Sequence, residues 1–380
     1  MNLSEPILKG SNHIMVCEPN LGKLERKYLM QAYDSSWISS AGSFVARFEG
    51  AFAKTVTHTK AAIAVNSGTS ALHLAIASLS IEPGDEIILP TFTMIATLNV
   101  ITYCGAKPIL VDADPTTWNI DVTKIEKAVG PKTKAIIVVH TYGSVADMDP
   151  IMALCKKHNL FLIEDAAEAH GAIYKGRPAG NMGDVAAFSL YANKLITTGE
   201  GGMVTTNNKA TADRVRLLRN HAFTENRHFW HEVVGFGYRM TNLQAAVGLA
   251  QVTRFDELFA AKRRNAALYK KLLSRIPGIT LPYESAKTTH SYWMYGILVD
   301  KKRFGINKVE LRKVLADHGI ETRSFFIPMH LQPAYAHQFH RQHFPVSESL
   351  SREGLYLPSS TTLTIRQIHR ICDVIKKASL

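Results

Sequence analysis

The sequence predicts an α/β fold, with a large domain around a mainly parallel, mixed sheet and a smaller C-terminal α+β domain. Between residues 61 and 207, apolar runs of strand length alternate with stretches whose apolar residues recur every three or four positions. Several runs are apolar throughout, which is typical of strands covered by helices on both faces. After residue 277 this alternation gives way to shorter, less regular elements.

The elements of the large domain follow one another in the order expected of βαβ units. Its predicted strands are AAIAVNS, DEIILP, KPILVDA, KAIIVVH, LFLIEDA, VAAFSL and GGMVTT. The helices predicted between them are SALHLAIASLS, MIATLNVITYCG, VTKIEKAVG and PIMALCKKHN. A long helical stretch, TNLQAAVGLAQVTRFDELFAAKRRNAALYKKLLSRI, then leads to the smaller unit, which closes with the helix IRQIHRICDVIKKA.

The domain boundary is predicted near Arg254, inside or beside that long stretch. Residues 31–254 then form the large domain and residues 255–380 the small one. Residues 1–30 have weak periodicity, and we expect them to pack against the small domain.

Composition limits the classes of function. With 46% apolar and 20% charged residues, the 380-residue chain is typical of a globular protein. It contains neither an apolar run long enough to cross a bilayer nor an N-terminal signal pattern, so we expect a cytoplasmic protein without membrane insertion. The four cysteines are scattered, and no C-x-x-C pair is present that would bind zinc or exchange disulfides.

The charge of the chain is strongly positive, with a formal net charge of +12 and a pI near 9.4. The basic residues are dispersed, and no nucleic-acid-binding motif accompanies them, so we expect no nucleic acid partner. A positive field favours an anionic small substrate instead.

The segment NSGTSA, residues 66–71, follows a predicted strand and opens a helix. Unpaired N–H groups and the positive dipole end of a helix bind anions, and Gly68 would let a phosphate approach the backbone beside Thr69. An ordinary helix cap is the alternative interpretation, because serine and threonine are common there.

Asp165 ends the apolar run of LFLIEDAAEAHG. Ligands of open α/β sheets collect outside the carboxyl ends of the strands, so an acid at this position is placed to meet one. A helix cap or a turn acid is the alternative.

Lys194 lies between the strand VAAFSL, which contains Ser189, and the glycine-rich turn TTGEGG. A lysine in apolar surroundings costs free energy unless it reaches solvent, is paired or reacts. A lysine that condenses with an aldehyde cofactor accounts for this setting. Pyridoxal 5′-phosphate needs that amine, a carboxylate facing its ring nitrogen and an anion seat, which Lys194, Asp165 and Gly68 with Thr69 supply together.

Another motif, AHQFHRQH, could indicate a metal site, because His337, His340 and His343 recur every three residues. No carboxylate or cysteine accompanies them, and prolines bracket the stretch. We therefore expect no metal.

Longer motifs indicate a family. The sequence resembles the DegT/StrS sugar aminotransferases, vitamin-B6 enzymes of the fold-type I class, over nearly the whole chain. The motifs that carry the resemblance are NSGTSALHLA, HTYGSVADMD, EDAAEAHGA, AAFSLYANKLITTGEGGMV and GFGYRMTNLQAAVGLAQ.

The resemblance implies roles for individual residues. Lys194 would bond to the cofactor and then move the proton between substrate and cofactor, and Asp165 would keep the ring nitrogen protonated. The phosphate would be held by Gly68, Thr69 and Ser189. Glu168 stands where the family often has glutamine, near the cofactor's hydroxyl or the substrate.

Other implied positions lie around the cofactor. Met94 would cover the ring, where many relatives have an aromatic residue, and Gly237 replaces an asparagine that in many relatives reaches the neighbouring subunit's phosphate. Trp37, Arg239 and His330 would face the sugar nucleotide.

The resemblance also implies a reaction. The amino group would pass from L-glutamate to C4″ of a nucleotide-linked 4-keto-6-deoxyhexose. The preferred substrate would be GDP-4-keto-6-deoxymannose, and the product would be GDP-perosamine for a surface glycan such as O-antigen. A homodimer with shared active sites is expected. UDP- or dTDP-linked ketosugars, amination at C3″, a sugar dehydratase of the same family and a non-catalytic regulator remain alternatives.

Overall fold

A computed structural model of the chain describes residues 13–224, 227 and 229–379. Its strands, in chain order, are β1 (Ala61–Val65), β2 (Glu86–Pro90), β3 (Lys107–Val111), β4 (Thr133–Val139), β5 (Phe161–Asp165), β6 (Ile173–Tyr174), β7 (Arg177–Pro178), β8 (Val185–Ser189), β9 (Gly202–Thr206), β10 (Ile279–Thr280), β11 (Thr288–Thr289), β12 (Tyr295–Val299), β13 (Arg323–Ser324) and β14 (Gly354–Leu357).

The helices are α1 (Lys23–Asp34), α2 (Ser43–Phe52), α3 (Gly68–Ala77), α4 (Ala96–Tyr103), α5 (Val122–Ala128), α6 (Met148–His158), α7 (Lys209–Arg219), α8 (Asn242–Thr253), α9 (Phe255–Leu273), α10 (Lys301–Phe304), α11 (Lys308–Asp317), α12 (Ala336–Phe339), α13 (Pro345–Glu353) and α14 (Ile365–Lys377).

A seven-stranded sheet in the order β1-β9-β8-β5-β4-β2-β3 forms the centre of the large unit. Neighbouring strands run parallel from β3 to β8, whereas β9 is antiparallel to both β8 and β1. The predicted mainly parallel, mixed sheet is confirmed. The β8–β9 pair is joined by the loop that contains Lys194, so two adjacent strands fix both ends of that loop.

Both faces of the sheet are buried, which explains why the strands are apolar without alternation. Along β4, Ile136 and Val138 point into one apolar layer, which contains α2 and α8, and Ile137 points into the other, which contains α3, α4 and α7. In the first layer Phe52 is fully buried, and its ring lies 5.2 Å from that of Phe188.

The smaller unit is built on the antiparallel sheet β10-β12-β14-β13. Helices α9, α11 and α14 cover this sheet, and the buried residues between them include Tyr269, Leu311, Leu355 and Ile371. The N-terminal segment also reaches this unit: Ile14 donates from its N–H to the carbonyl of Gly319 at 2.8 Å. The part of the predicted N-terminal segment before residue 13 lies outside the described residues.

The long helical stretch is divided at Arg254, where α8 ends and α9 begins. The Arg254 backbone leaves the helical region, with φ −101° and ψ 12°. Its guanidinium binds Glu25 of α1 at 2.8 Å and Glu257 of α9 at 3.0 Å. The predicted boundary therefore coincides with a helix junction, and the division into domains stays a prediction.

Within the described part of the chain, no helix is long and apolar enough to cross a membrane. The same residues include no group of three or more histidine, cysteine or acidic side chains placed to hold a metal ion.

Candidate active site

A cavity of about 330 Å³ opens where β4, β5 and β8 end, beside the first turn of α3. Ligands of open α/β sheets bind at this edge. The cavity is lined by all seven residues that the sequence assigns to the cofactor, namely Gly68, Thr69, Met94, Asp165, Glu168, Ser189 and Lys194. The structure thus brings together groups that are far apart in the chain.

The first turn of α3 forms one wall of the cavity. Its cap, Ser67, accepts a hydrogen bond from the N–H of Ser70 at 3.1 Å, and the preceding N–H groups, of Gly68 and Thr69, have no acceptor inside the helix. A Cβ at Gly68 would lie 2.8 Å from Cβ of Ser189, so only glycine lets the helix end approach β8 so closely. The two N–H groups and the Ser189 hydroxyl form a seat suited to phosphate.

Asp165 lies at the end of β5 and is 5% exposed. Its Oδ2 accepts a hydrogen bond from the Thr97 hydroxyl at 2.7 Å, and its Oδ1 accepts one from the N–H of Ala167 at 3.2 Å. Burial raises the pKa of Asp165, against the effect of these two bonds and of the Lys194 charge. A protonated ring nitrogen beside it would favour the charged carboxylate.

Lys194 reaches into the cavity from the β8–β9 loop, with a side chain that is 9% exposed. Burial lowers the pKa of its amine, and the nearby carboxylates Glu168 and Asp165 oppose this shift. A lowered pKa increases the neutral fraction, which is the form that attacks an aldehyde and accepts a proton. The surroundings of Lys194 thus favour the chemistry that the sequence predicts.

Glu168 lies opposite Lys194, with its Oε1 4.0 Å from Nζ. Its Oε2 accepts a hydrogen bond from the N–H of Tyr142 at 2.7 Å, and Tyr142 has the left-handed φ of 53°. Burial raises the pKa of Glu168 to about 7. Near neutral pH this group can therefore hold or release a proton inside the cavity.

Sequence reasoning missed several residues of the cavity wall. Trp293, Phe326 and Tyr356 line it from the C-terminal part, and Thr97 lies behind Asp165. No local pattern identifies them, because each reaches the cavity only through long-range packing. The aromatic residues of SYWMY are a signal in the sequence for Trp293.

Three residues predicted to face the sugar nucleotide lie outside this cavity. Trp37 is 61% exposed, and Arg239 lines a separate, arginine-rich cleft. His330 is buried, with Nδ1 2.9 Å from the Thr91 hydroxyl and Nε2 3.1 Å from Oε1 of Glu348. Their roles in substrate binding stay predictions.

The residues present fit pyridoxal 5′-phosphate. The cavity combines a reactive amine, a buried carboxylate and unpaired helix N–H groups, which match an aldehyde, a ring nitrogen and a phosphate. Asn193, which also lines the cavity, has a buried Oδ1 that lacks a hydrogen-bond partner among the described residues. A polar atom left unpaired in a site is expected to meet a ligand.

Comparisons with known proteins agree with this geometry. The family model described as DegT/DnrJ/EryC1/StrS aminotransferase family matches residues 19–376. The chain is 46% identical to GDP-perosamine synthase of Caulobacter vibrioides, over 94% of this chain and 96% of that protein. It is 44% identical to GDP-perosamine synthase of Escherichia coli O157:H7, over 96% and 98% of the two chains.

A solved structure shows the same architecture. DesV of S. venezuelae superposes with a TM-score of 0.87 and 35% identity, covering 93% of each chain. The fold and the family predicted from the motifs are thereby confirmed, and this chain belongs to the DegT/DnrJ/EryC1/StrS aminotransferase family.

Proposed function

We propose that this protein transfers the amino group of L-glutamate to C4″ of GDP-4-keto-6-deoxymannose and so forms GDP-perosamine for a surface glycan. The observation that carries the proposal is the buried amine of Lys194, which shares one cavity with Asp165 and the first turn of α3. The choice of sugar is supported by the identity of 46% to a GDP-perosamine synthase along 94% of the chain.

Pyridoxal 5′-phosphate is the cofactor. Gly68, Thr69 and Ser189 would hold its phosphate, Asp165 its ring nitrogen, and Met94 would lie against the ring. When bound, the group supplies an aldehyde that exchanges amino groups and a ring that accepts electrons as a substrate C–H bond breaks.

The protein's own residues then handle the proton. Lys194 Nζ would accept the proton from the substrate carbon that bears the amino group and would later donate it again, and its lowered pKa favours both roles. Asp165, whose carboxylate is fixed by hydrogen bonds from Thr97 and Ala167, would keep a positive charge on the ring nitrogen. Trp293, Phe326 and Tyr356, which come from the C-terminal part of the chain, limit the access of water to the cavity.

Charge, exposed apolar side chains and cysteine chemistry outside the cavity also support the proposal. The net charge of +12 favours approach of a diphosphate. Exposed apolar side chains, with Trp37 at 61% and Ile38 at 50%, support a homodimer whose sites are completed by the second copy, as sedimentation velocity can test. The four cysteines are free, which fits a reducing compartment such as the cytoplasm.

The first test is spectroscopic. Purified protein should show a visible absorbance band that borohydride removes. The Lys194→Ala variant should fold and lack the band, because Lys194 is the only lysine among the described residues that lines the cavity. Lys175→Ala, which removes an exposed lysine, should keep the band. A band that persists in Lys194→Ala contradicts the assignment.

The second test concerns the sugar. Glutamate is incubated with GDP-, UDP- and dTDP-linked 4-keto sugars, and the aminated product is identified by mass. We expect turnover with the GDP sugar and release of 2-oxoglutarate. Preference for a UDP or dTDP sugar would replace the proposed substrate with one of the alternatives. A product that has lost a sugar hydroxyl and gained no nitrogen would indicate a dehydratase.

A further inference from the structure

The free amine of Lys194 has a defined resting place in the cavity. Nζ lies 3.5 Å from the centroid of the Trp293 ring, over its face, and 4.0 Å from Oε1 of Glu168. An ammonium over an indole face is attracted by the negative potential of the ring. The ring face and the carboxylate together stabilise the charged amine in a place where burial alone disfavours it.

Hydrogen bonds restrain Trp293 at its indole N–H and at its backbone carbonyl. Its indole Nε1 donates a hydrogen bond to the carbonyl of Asn193 at 2.9 Å, the residue immediately before Lys194. Its own carbonyl accepts a hydrogen bond at 2.8 Å from Nζ of Lys262, a buried lysine of α9. Trp293 is 5% exposed, and its ring cannot turn away from the cavity without breaking the bond from Nε1 to Asn193.

The turn that precedes Trp293 is bonded to the turn at residues 141–143, which contains Tyr142. Ser291 donates from its N–H to the carbonyl of Gly143 at 2.9 Å. The residues next to these two, Tyr292 and Tyr142, both have left-handed φ values, of 50° and 53°. Since the N–H of Tyr142 holds the Glu168 carboxylate, one junction positions both partners of the amine.

We infer that Trp293 is a positioning residue whose ring face, with the Glu168 carboxylate, holds the protonated amine of Lys194 whenever that amine is not covalently bonded. This inference rests on the proposed function, because transamination releases Lys194 in each cycle. A fixed resting place returns the amine to the same geometry after every release. The charged or titratable groups that act on it are Glu168, Asp165, Cys17, Lys262 and His170.

The test measures Lys194 directly, without sugar or turnover. Full-length protein freed of cofactor with hydroxylamine is labelled with acetic anhydride across a pH series, and mass spectrometry follows the peptide that contains Lys194. The exposed Lys175 is the internal reference. The midpoint of the pH series reports the protonation of the amine, whereas the plateau reports its accessibility, so the two effects separate.

Two substitutions form a matched pair. Trp293→Phe keeps an aromatic face and loses the indole N–H, and Trp293→Leu keeps apolar bulk without a face. We expect Trp293→Phe to stay near the wild-type midpoint and Trp293→Leu to have a lower one, with about threefold more neutral amine at pH 7. Coincident midpoints for the two variants would overturn the inference.

Should Trp293→Leu not fold, 5-fluorotryptophan incorporated in place of tryptophan weakens the ring face at nearly constant volume. A downward shift of the Lys194 midpoint would support the inference, and an unchanged midpoint would overturn it. Because the labelling needs no cofactor or sugar, its result is independent of the sugar panel and of the visible band.

Discussion

The hydrogen bond between Thr97 and Asp165 offers a sharp test of the role of Asp165. Thr97 is fully buried, and its hydroxyl donates to Oδ2 of Asp165 at 2.7 Å. Thr97→Val removes this donor while nearly conserving volume. A hydrogen bond to a charged group contributes about 1.5–3 kcal/mol. Its removal destabilises the ionised form of Asp165, which is the form that the reaction requires. We expect kcat/KM for glutamate to fall roughly 10- to 150-fold.

The same substitution also breaks a second contact, since the Thr93 and Thr97 hydroxyls lie 3.1 Å apart. Thr93→Val removes that contact and leaves the bond to Asp165 intact, so the difference between the two variants measures the bond. The assay is stopped-flow absorbance of the glutamate half-reaction. In an Asp165→Asn background the two threonine variants should differ little, because the charged acceptor is gone. Equal kcat/KM for Thr97→Val and Thr93→Val in the wild-type background would refute the reasoning.

Two further predictions concern stability. Phe52→Ala should lower the free energy of unfolding by about 3–5 kcal/mol, measured by urea denaturation, because a fully buried ring packed 5.2 Å from Phe188 is lost; a loss under 1 kcal/mol would contradict this packing. For Glu168, burial raises the pKa to about 7, so the folded cofactor-free protein keeps a proton that the unfolded chain has already released. This group therefore makes stability fall as pH rises from about 4.5 to 7, and the difference in Tm between Glu168→Gln and wild type should grow over that range; a constant difference would show that Glu168 does not titrate there.

Much of the cofactor site could be predicted because its residues stand at the ends of strands in one sheet. Gly68 and Lys194 follow β1 and β8, and Asp165 is the last residue of β5. The carboxyl ends of these strands meet at one edge. Strand patterns and motif positions were sufficient to bring these groups together. The family followed from the same motifs, and the comparisons confirm it.

The C-terminal wall could not be predicted in the same way. Trp293 reaches Lys194 through a turn whose left-handed residue, Tyr292, has no glycine to mark it. His330, which the resemblance places at the substrate, has its two ring nitrogens at hydrogen-bond distance from Thr91 and Glu348, and its role in substrate binding stays a prediction. Glu348 lies on α13, and its approach depends on how that helix packs rather than on a local pattern.

The position of Trp293 in the chain determines the stage of synthesis at which Lys194 becomes enclosed. Trp293 follows its bonding partner Asn193 by 100 residues, and Tyr356, which completes the same wall, comes later still. Domains generally begin to fold from the N-terminus during synthesis. The nascent large unit therefore presents the Lys194 amine uncovered, and the enclosed lysine appears only when nearly the whole chain has left the ribosome. Chains that end before Trp293 would carry the reactive amine without the ring that lies over it.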